Sequence, residues 1–212
     1  MREDIYIIGA GGHGQVVADA LIALGMKPSG FLDDNENLNS VFGIPIIGPI
    51  KLALKLEGKF VVAIGNNKKR KEMVEMLDLD NNKYLTVIHP SAIISKNVKI
   101  GHGSMILGGV VINTGTEIGN HVIINTLSSV DHHNKVGDFV HIAPGTHTGG
   151  NVHIEEGAFL GIGVSVLPGK KISKWSQVGA GAVVIGDILP YATYVGVPAK
   201  LLKGDKNESS IV

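Results

Sequence analysis

The chain has 212 residues, 44% of them hydrophobic, and its 19 basic side chains balance 19 acidic ones. This balance provides no basic surface for nucleic acid or an anionic membrane, and the absence of cysteine excludes disulfides, thiolate metal sites and a cysteine acyl-enzyme. The N-terminus shows no basic segment leading into an apolar one, and no apolar run reaches about 18 residues, so we expect a cytoplasmic protein without a membrane partner.

A short β-rich run at residues 4–8 leads into a glycine-rich loop, and apolar residues then recur at helical spacing. Gly9, Gly11 and Gly14 satisfy the pattern G-x-G-x-x-G after a strand. In nucleotide-binding folds such glycines let the backbone approach phosphate. His13 in this loop can donate to a phosphate or a sugar. The alternatives are a tight turn without a ligand and a surface histidine.

The next predicted strand ends in Asp33 and Asp34, about twenty residues after the glycines, where a carboxylate would bind a ribose hydroxyl. A short helix after Pro49, a buried strand at 60–64 and a charged helix from Lys68 to Leu77 follow. Three or four parallel strands make about half of a dinucleotide fold. We therefore predict a Rossmann-like α/β domain over residues 1–85 with room for one nucleotide.

From Ile88 to Val184 an aliphatic residue occupies every sixth position, and only Thr148 interrupts the series. Neither a helix nor a flat strand has a six-residue period, so this repeat indicates a solenoid. An inward aliphatic residue every sixth position, with a small residue two places earlier, is typical of a triangular parallel β-helix with about eighteen residues per coil. We predict this left-handed β-helix over residues 86–187 and a C-terminal cap and tail over 188–212.

Five of the nine histidines lie between His132 and His153. His132 and Gly150 are eighteen residues apart, so an imidazole that can take a proton should lie beside a backbone that a ligand can approach. His141 is half a coil from His132 and faces elsewhere, so these two histidines can meet only between subunits of a closed ring, most simply a trimer.

Gly161 and Gly179 are also one coil apart, and each follows an inward aliphatic residue. Two stacked positions without side chains would form a smooth groove for a thin ligand arm. Glycines that only form corners are the alternative.

Several sequence motifs occur together and in order along nearly the whole chain. They are Gly-Ala-Gly-Gly-His-Gly at 9–14, Phe-Leu-Asp-Asp at 31–34, Ala-Ile-Gly-Asn-Asn at 63–67, the segment from His132 to His141, and Val-Gly-Val-Pro-Ala-Lys at 195–200. With the hexads, they resemble the sugar O/N-acyltransferase family, which includes nucleotide-amino-sugar N-acetyltransferases of the bacillosamine type and sialic-acid O-acetyltransferases. The resemblance implies a cytoplasmic homotrimer for glycan biosynthesis, with acetyl-CoA between adjacent β-helices, no metal, and a nucleotide-sugar on the N-terminal domain.

The resemblance also implies residue roles. His132 is the expected general base, and Gly150 the expected backbone donor to the thioester oxygen. The family commonly has a carboxylate directly after the base, where this chain has His133, which we expect in the catalytic group. Acetyl-CoA is expected to contact His141, Gly150, Gly161, Gly179 and Lys200, although Lys200 is equally compatible with a solvated surface. The nucleotide-sugar is expected to contact Gly11, Gly12, His13, Asp33, Asp34, Gly65 and Asn66.

Without cysteine, and with no Ser-His-Asp arrangement that the spacing supports, we expect direct acetyl transfer to the amine of a UDP-type 4-amino sugar. Sialic-acid O-acetylation is the alternative within the family. Outside it, a zinc lyase of the γ-carbonic-anhydrase kind could use His132, His141 and His147. A non-enzymatic scaffold and an NAD-dependent enzyme are further alternatives.

Overall fold

A computed structural model describes residues 3–204, which form an N-terminal α/β domain followed by a left-handed parallel β-helix, as predicted. The elements of the first domain are β1 (Ile5–Ile8), α1 (Gly12–Ala23), β2 (Gly30–Leu32), β3 (Ser40–Val41), β4 (Ile44–Gly48), a 3₁₀ helix (Ile50–Lys55), β5 (Lys59–Val62), α2 (Asn67–Leu77) and a 3₁₀ turn (Asn81–Lys83).

The N-terminal sheet has the strand order β3-β4-β2-β1-β5. Four of its strands are parallel and β3 pairs antiparallel with β4, which agrees with the predicted three or four parallel strands. All four residues of β1 are buried, as a central parallel strand requires, because helices or the β-helix cover both faces. Parallel order also brings the ends of β1, β2 and β5, and therefore their loops, to one edge of the sheet.

The β-helix consists of two-residue strands joined by four-residue corners. In chain order they are β6 (Val87–Ile88), β7 (Ile93–Ile94), β8 (Lys99–Ile100), β9 (Met105–Ile106), β10 (Val111–Ile112), β11 (Glu117–Ile118), β12 (Ile123–Ile124), β13 (Ser129–Val130), β14 (Lys135–Val136), β15 (His141–Ile142), β16 (His147–Thr148), β17 (His153–Ile154), β18 (Phe159–Leu160), β19 (Ser165–Val166), β20 (Lys171–Ile172), β21 (Gln177–Val178) and β22 (Val183–Val184).

These strands stack into three parallel sheets, one on each face of the prism. The first face contains β7, β10, β13, β16, β19 and β22; the second contains β8, β11, β14, β17 and β20; the third contains β6, β9, β12, β15, β18 and β21. Each residue pairs with the one eighteen positions later, as Ser129 does with His147. The aliphatic residue of each hexad points inward and these side chains form one continuous core.

Backbone conformation marks every corner, since a residue with φ between 52° and 73° recurs at every sixth position from Gly103 to Gly181. Most of these residues are glycine, which adopts the left-handed region without steric cost. Where a histidine, a leucine or a tryptophan takes the position, its ring or chain lies over a glycine in the preceding coil, whereas Phe139 stacks on His121. Thus a Cβ on Gly115 would overlap His133, and a Cβ on Gly157 would overlap Trp175.

Small hydroxyl residues two positions before the aliphatic residues close the corners. Their side chains donate to a main-chain carbonyl fifteen residues later, as Thr116 does to Asp131 O at 2.7 Å and Thr146 to Gly161 O at 2.8 Å. Asn134, an exception to the small-residue pattern, does the same through its amide, which donates to Gly149 O at 3.0 Å. Its size is accommodated because its Oδ1 also accepts from Val152 N in the next coil.

The C-terminal segment covers the last coil. β23 (Ala192–Val195) pairs parallel with β21, and β24 (Lys200–Gly204) folds back antiparallel on β23. Residues 205–212, the rest of the predicted tail, lie outside the described part of the chain. Within residues 3–204, no helix is both long and apolar enough to cross a bilayer.

Thr148, the one interruption of the aliphatic series, provides a test of this core. It is 4% exposed, and its Oγ1 has no hydrogen-bond partner among residues 3–204. We expect Thr148→Val to raise the free energy of unfolding by about 1–2 kcal/mol, because an unpaired buried hydroxyl is destabilising. Urea denaturation measures the change.

Thr146→Val is the matched control. Thr146 is equally buried, but its hydroxyl donates to Gly161 O, so this variant should lose about 1 kcal/mol. Equal effects of the two substitutions would contradict the assignment of Thr148 as an unpaired hydroxyl.

Candidate active site

One cluster of predicted site residues lies at the corner that follows β13. The His132 ring lies over Gly150 in the next coil, and a Cβ at Gly150 would overlap it. His133 adopts φ 57°, and this left-handed conformation brings its ring against His132, with the two Nδ1 atoms 3.0 Å apart. The stacking of coils therefore holds both rings on a backbone without side chains, as the spacing of His132 and Gly150 predicts.

Asp131 does not orient the His132 imidazole. Its carboxylate accepts from Asn113 Nδ2 and from the main-chain N–H of His132, each at 2.8 Å, and these hydrogen bonds lower the pKa of Asp131. The ring of His132 is instead hydrogen bonded to His133. A second histidine thus occupies the place beside the proposed base.

The main chain at Gly150 is suited to stabilise an oxyanion. Gly150 is buried under the His132 ring, and its N–H donates to no acceptor within residues 3–204. A main-chain donor that is unpaired beside a titratable ring is available to a ligand.

A second cluster surrounds His141 on β15, on the third face, where the N-terminal domain packs. His141 is 8% exposed; Gly65 O lies 3.1 Å from its Nδ1, and Asn125 Nδ2 lies 3.2 Å from its Nε2. Asn125 Oδ1 accepts from Thr126 N, which directs the amide nitrogen toward the histidine. His141 is therefore the neutral tautomer with its proton on Nδ1, and it has no free nitrogen with which to act as a base.

His13 joins this cluster from the start of α1, with its ring centroid 6.2 Å from that of His141. Burial, followed by the charge of Arg70, lowers the pKa of His13 to about 4 and that of His141 to about 3. Both rings are neutral near pH 7. Phe159 packs edge-on against His141 and forms the wall above it.

A groove of about 740 Å³ opens above this cluster, between the N-terminal end of α2 and the third face. Gly65 and Asn66 form its floor, and aromatic side chains form much of its wall. The aromatic lining residues are Phe159, Trp175 and Tyr191. The groove is thus continuous with His141 through both Gly65 and Phe159.

Packing requires glycine at some positions of the loop and not at others. A Cβ at Gly14 would overlap Gly9 O, so Gly14 is required for close packing of α1 on β1. At Gly11 and Gly12 a Cβ would meet nothing within 4 Å, so packing does not explain these two glycines. Their open backbone at the start of α1 suits an anionic ligand, which remains a prediction.

Three predicted substrate residues also stabilise the loops that carry them. Asp33 accepts from Ala10 N at 2.7 Å and from Asn35 N, and Asp34 accepts from Ile50 N at 2.9 Å. Asn66 caps α2 by accepting from Lys69 N. Their roles in binding a ligand remain predictions.

The smooth-groove explanation of Gly161 and Gly179 is not needed. A Cβ at Gly161 would lie 2.7 Å from Ala180 N, and one at Gly179 would lie 2.7 Å from Val195 Cγ1. Close stacking of successive coils therefore excludes side chains at both positions, which favours the alternative that these glycines form corners. Their contact with acetyl-CoA, like that of exposed Lys200, is untested and stays a prediction.

His132 and His141 lie on different faces, at the end of β13 and on β15, so one chain does not bring the two predicted catalytic clusters together. This agrees with the half-coil spacing. We propose that neighbouring subunits join the two clusters.

The N-terminal region matches the family model described as the PglD N-terminal domain over residues 4–77. The chain is 37% identical over 111 residues to UDP-N-acetylbacillosamine N-acetyltransferase from Bacillus subtilis (strain 168), a match that spans 50% of this chain and 51% of that enzyme. The match therefore covers about half the length of that curated relative.

Solved structures match over nearly the whole chain. The acetyltransferase domain of PglB from Neisseria gonorrhoeae FA1090, in complex with acetyl coenzyme A, has a TM-score of 0.88 and 37% identity, covering 95% of this chain and 100% of that one. PerB from Caulobacter crescentus, in complex with CoA and GDP-perosamine, has a TM-score of 0.88 and 35% identity, covering 96% and 99%. The chain belongs to the sugar O/N-acyltransferase family.

Family membership argues against the zinc-lyase alternative. Among residues 3–204, moreover, no three histidine, cysteine, aspartate or glutamate side chains converge in one chain to hold a metal ion.

Two solved forms of the Caulobacter crescentus enzyme carry a histidine replaced by asparagine or alanine and contain CoA and GDP-perosamine.

Sequence reasoning missed the residues that join the two domains at this acyltransferase site. Asn67 is buried and donates to Gly157 O and Ala158 O, each at 3.1 Å. Arg70 is fully buried in the same interface. Asn67 is the second residue of the Asn-Asn motif, and Arg70 lies three residues later in the charged helix, where periodicity predicts a solvated face.

The lowered pKa values of three buried histidines predict how the free energy of unfolding depends on pH. Burial is the main cause that lowers the pKa of His121 to about 4, as it does for His13 and His141. Unfolded histidine titrates near 6.5, so between pH 6.5 and 5 the unfolded chain binds protons that the fold does not. The free energy of unfolding should fall by roughly 1.4 kcal/mol per pH unit for each such histidine as the pH drops.

Urea unfolding at pH 7.5, 6.0 and 5.0 measures this dependence. His121 stacks on Phe139 and its Nδ1 has no partner within the described chain, so His121→Phe should fold and lose about one third of the slope. A flat stability profile in the native protein would contradict the neutral state of these rings.

Proposed function

We propose that this protein transfers the acetyl group of acetyl-CoA to the amine of a nucleotide-linked 4-amino sugar. The observation that carries the proposal is the His132 ring lying over Gly150, whose N–H is unpaired among the described residues. Likeness over the whole chain to acetyltransferases solved with acetyl-CoA, or with CoA and a nucleotide-sugar, supports the substrates. A UDP-linked sugar is our preferred acceptor, in keeping with the Bacillus subtilis relative, whereas the Caulobacter crescentus enzyme was solved with a GDP-sugar.

The proposed reaction is direct transfer. The neutral amine attacks the thioester carbon, a C–N bond forms, and His132 Nε2 accepts the proton that the nitrogen loses. The Gly150 N–H donates to the oxyanion of the tetrahedral intermediate. As the intermediate collapses, the C–S bond breaks and the His132 imidazolium returns the proton to the thiolate, giving the amide and CoA.

His133 determines whether His132 can act in this way. To accept at Nε2, His132 must carry its resting proton on Nδ1 and donate it to His133 Nδ1, 3.0 Å away. His133 must then carry its own proton on Nε2. A carboxylate, common at this position in the family, would also accept from His132, so the two residue types can fulfil one orienting role.

The groove beside α2 is the proposed acceptor site. Aromatic walls suit a nucleobase. The open start of α1, beside the cluster of His13 and His141, provides main-chain donors for a diphosphate. The sugar amine would then extend toward His132 of a neighbouring subunit, because the same chain holds His132 on another face. A homotrimer with active sites between subunits, in the cytoplasm, completes the proposal.

We expect His132→Ala to lower kcat by about 10²–10⁴ without changing the oligomeric state, because it removes the proton acceptor. A thiol-release assay gives kcat, and size-exclusion chromatography with light scattering gives the mass. His153→Ala, at an exposed histidine on the second face, is the matched control and should keep full activity.

His133→Asp should retain most of the activity and His133→Ala should lose it, since only the former can accept from His132 Nδ1.

Activity of His132→Ala within a few-fold of the native value would exclude His132 as the base.

The substrate is tested by the same assay with acetyl-CoA and a panel of UDP-, GDP- and dTDP-linked 4-amino sugars together with free sialic acid. Turnover should require a nucleotide-linked amine, and the UDP-sugar should give the highest kcat/KM. Turnover with sialic acid alone would overturn the proposal in favour of O-acetylation.

A further inference from the structure

Arg70 is an unusual cation because it is 0% exposed and no carboxylate within residues 3–204 pairs with it. A buried charge without an ion pair requires hydrogen bonds to every face of the group. Burial lowers the pKa of Arg70 to about 9, so the guanidinium remains charged at neutral pH. Its partners are main-chain carbonyls and one amide oxygen.

These partners belong to both domains. In the N-terminal domain, Nη1 donates to Ile64 O at 2.8 Å and to Gly65 O at 3.4 Å, and Nη2 donates to Asn67 Oδ1. In the β-helix, Nε donates to His121 O at 2.8 Å, and Nη2 donates to Phe139 O at 2.8 Å and, at 3.4 Å, to Val140 O. One planar group thus fixes the loop after β5 against two successive coils.

Arg70 contacts the residue that accepts from His141 and the two residues that precede His141. Gly65 O, which Arg70 contacts, is the acceptor for His141 Nδ1–H. Phe139 and Val140, whose carbonyls also accept from Arg70, directly precede His141 in the chain. The acceptor that selects the tautomer together with Asn125, and the strand that carries the ring, are therefore held by one side chain. Its charge also faces the His13 and His141 rings.

We propose that Arg70 is a positioning residue: it docks the N-terminal domain on the β-helix so that Gly65 O holds His141 as the Nδ1–H tautomer. Only the kinetic consequence of this role rests on the proposed function. In that function the acceptor binds beside Gly65, whereas acetyl-CoA binds along the β-helix. A displaced domain should therefore weaken binding of the acceptor and spare the acetyl donor.

The test compares Arg70→Lys and Arg70→Met in the full-length protein. Long-range ¹H–¹⁵N spectra of protein labelled at histidine report the tautomer, with the His141 signal assigned by its loss in His141→Gln. In native protein His141 should be a single Nδ1–H tautomer between pH 5 and 8. In both variants it should become a mixture, and KM for the nucleotide-sugar should rise at least tenfold while KM for acetyl-CoA stays within twofold.

Lys69→Met, at an exposed position one residue earlier on the same helix, is the matched control and should change neither readout. If Arg70→Met fails to fold, Arg70→Lys decides, because it keeps the charge and loses the planar fork. A folded Arg70 variant in which His141 keeps its single tautomer overturns the proposal. Absence of turnover with every sugar would refute the proposed function and leave the tautomer measurement valid.

Discussion

Main-chain hydrogen bonds between successive coils are the constraint from which the rest of the β-helix follows. They place each residue beside the one eighteen positions later, at strand spacing, and leave no room to adjust this register. Side chains in each column must therefore fit the coils beside them. Rings at several left-handed corners lie over glycines, as His133 does over Gly115, and His132 similarly lies over Gly150. The orientation of the proposed base is thus a property of the stacking.

The interface between the domains follows a different rule. Asn67 and Arg70 bind main-chain carbonyls of the β-helix and are themselves buried, while Lys71 pairs with Glu156 at its edge. Carbonyls at corners of the β-helix cannot all be satisfied by the next coil, and the N-terminal domain supplies the missing donors. A neutral His141 lies at this junction, hydrogen bonded to both domains.

The fold could be predicted from the sequence because the pattern that defines each domain is local. A six-residue aliphatic repeat defines the β-helix, and strand–glycine loop–helix defines the first domain, so Thr148 and Asn134 could be recognised as exceptions from spacing alone. The separation of His132 from His141 was predictable for the same reason. Arg70 and Asn125 were not, since their partners are carbonyls and a ring far along the chain, and no pattern in a single sequence pairs them. The contact of Gly161 and Gly179 with a ligand stays a prediction, because spacing shows which residues stack and not how closely their backbones approach.

The eighteen-residue register also limits how the length of this chain can change during evolution or engineering. Removing one hexad between His132 and Gly150 would turn every later residue to another face, so that Gly150 would no longer lie beside His132 while the inward aliphatic series would survive. Only whole coils can be gained or lost between the N-terminal domain and the C-terminal hairpin without moving a corner from its face. Variation in length among working relatives should therefore be concentrated in the corners and the first domain, where an extra residue leaves the stacking intact.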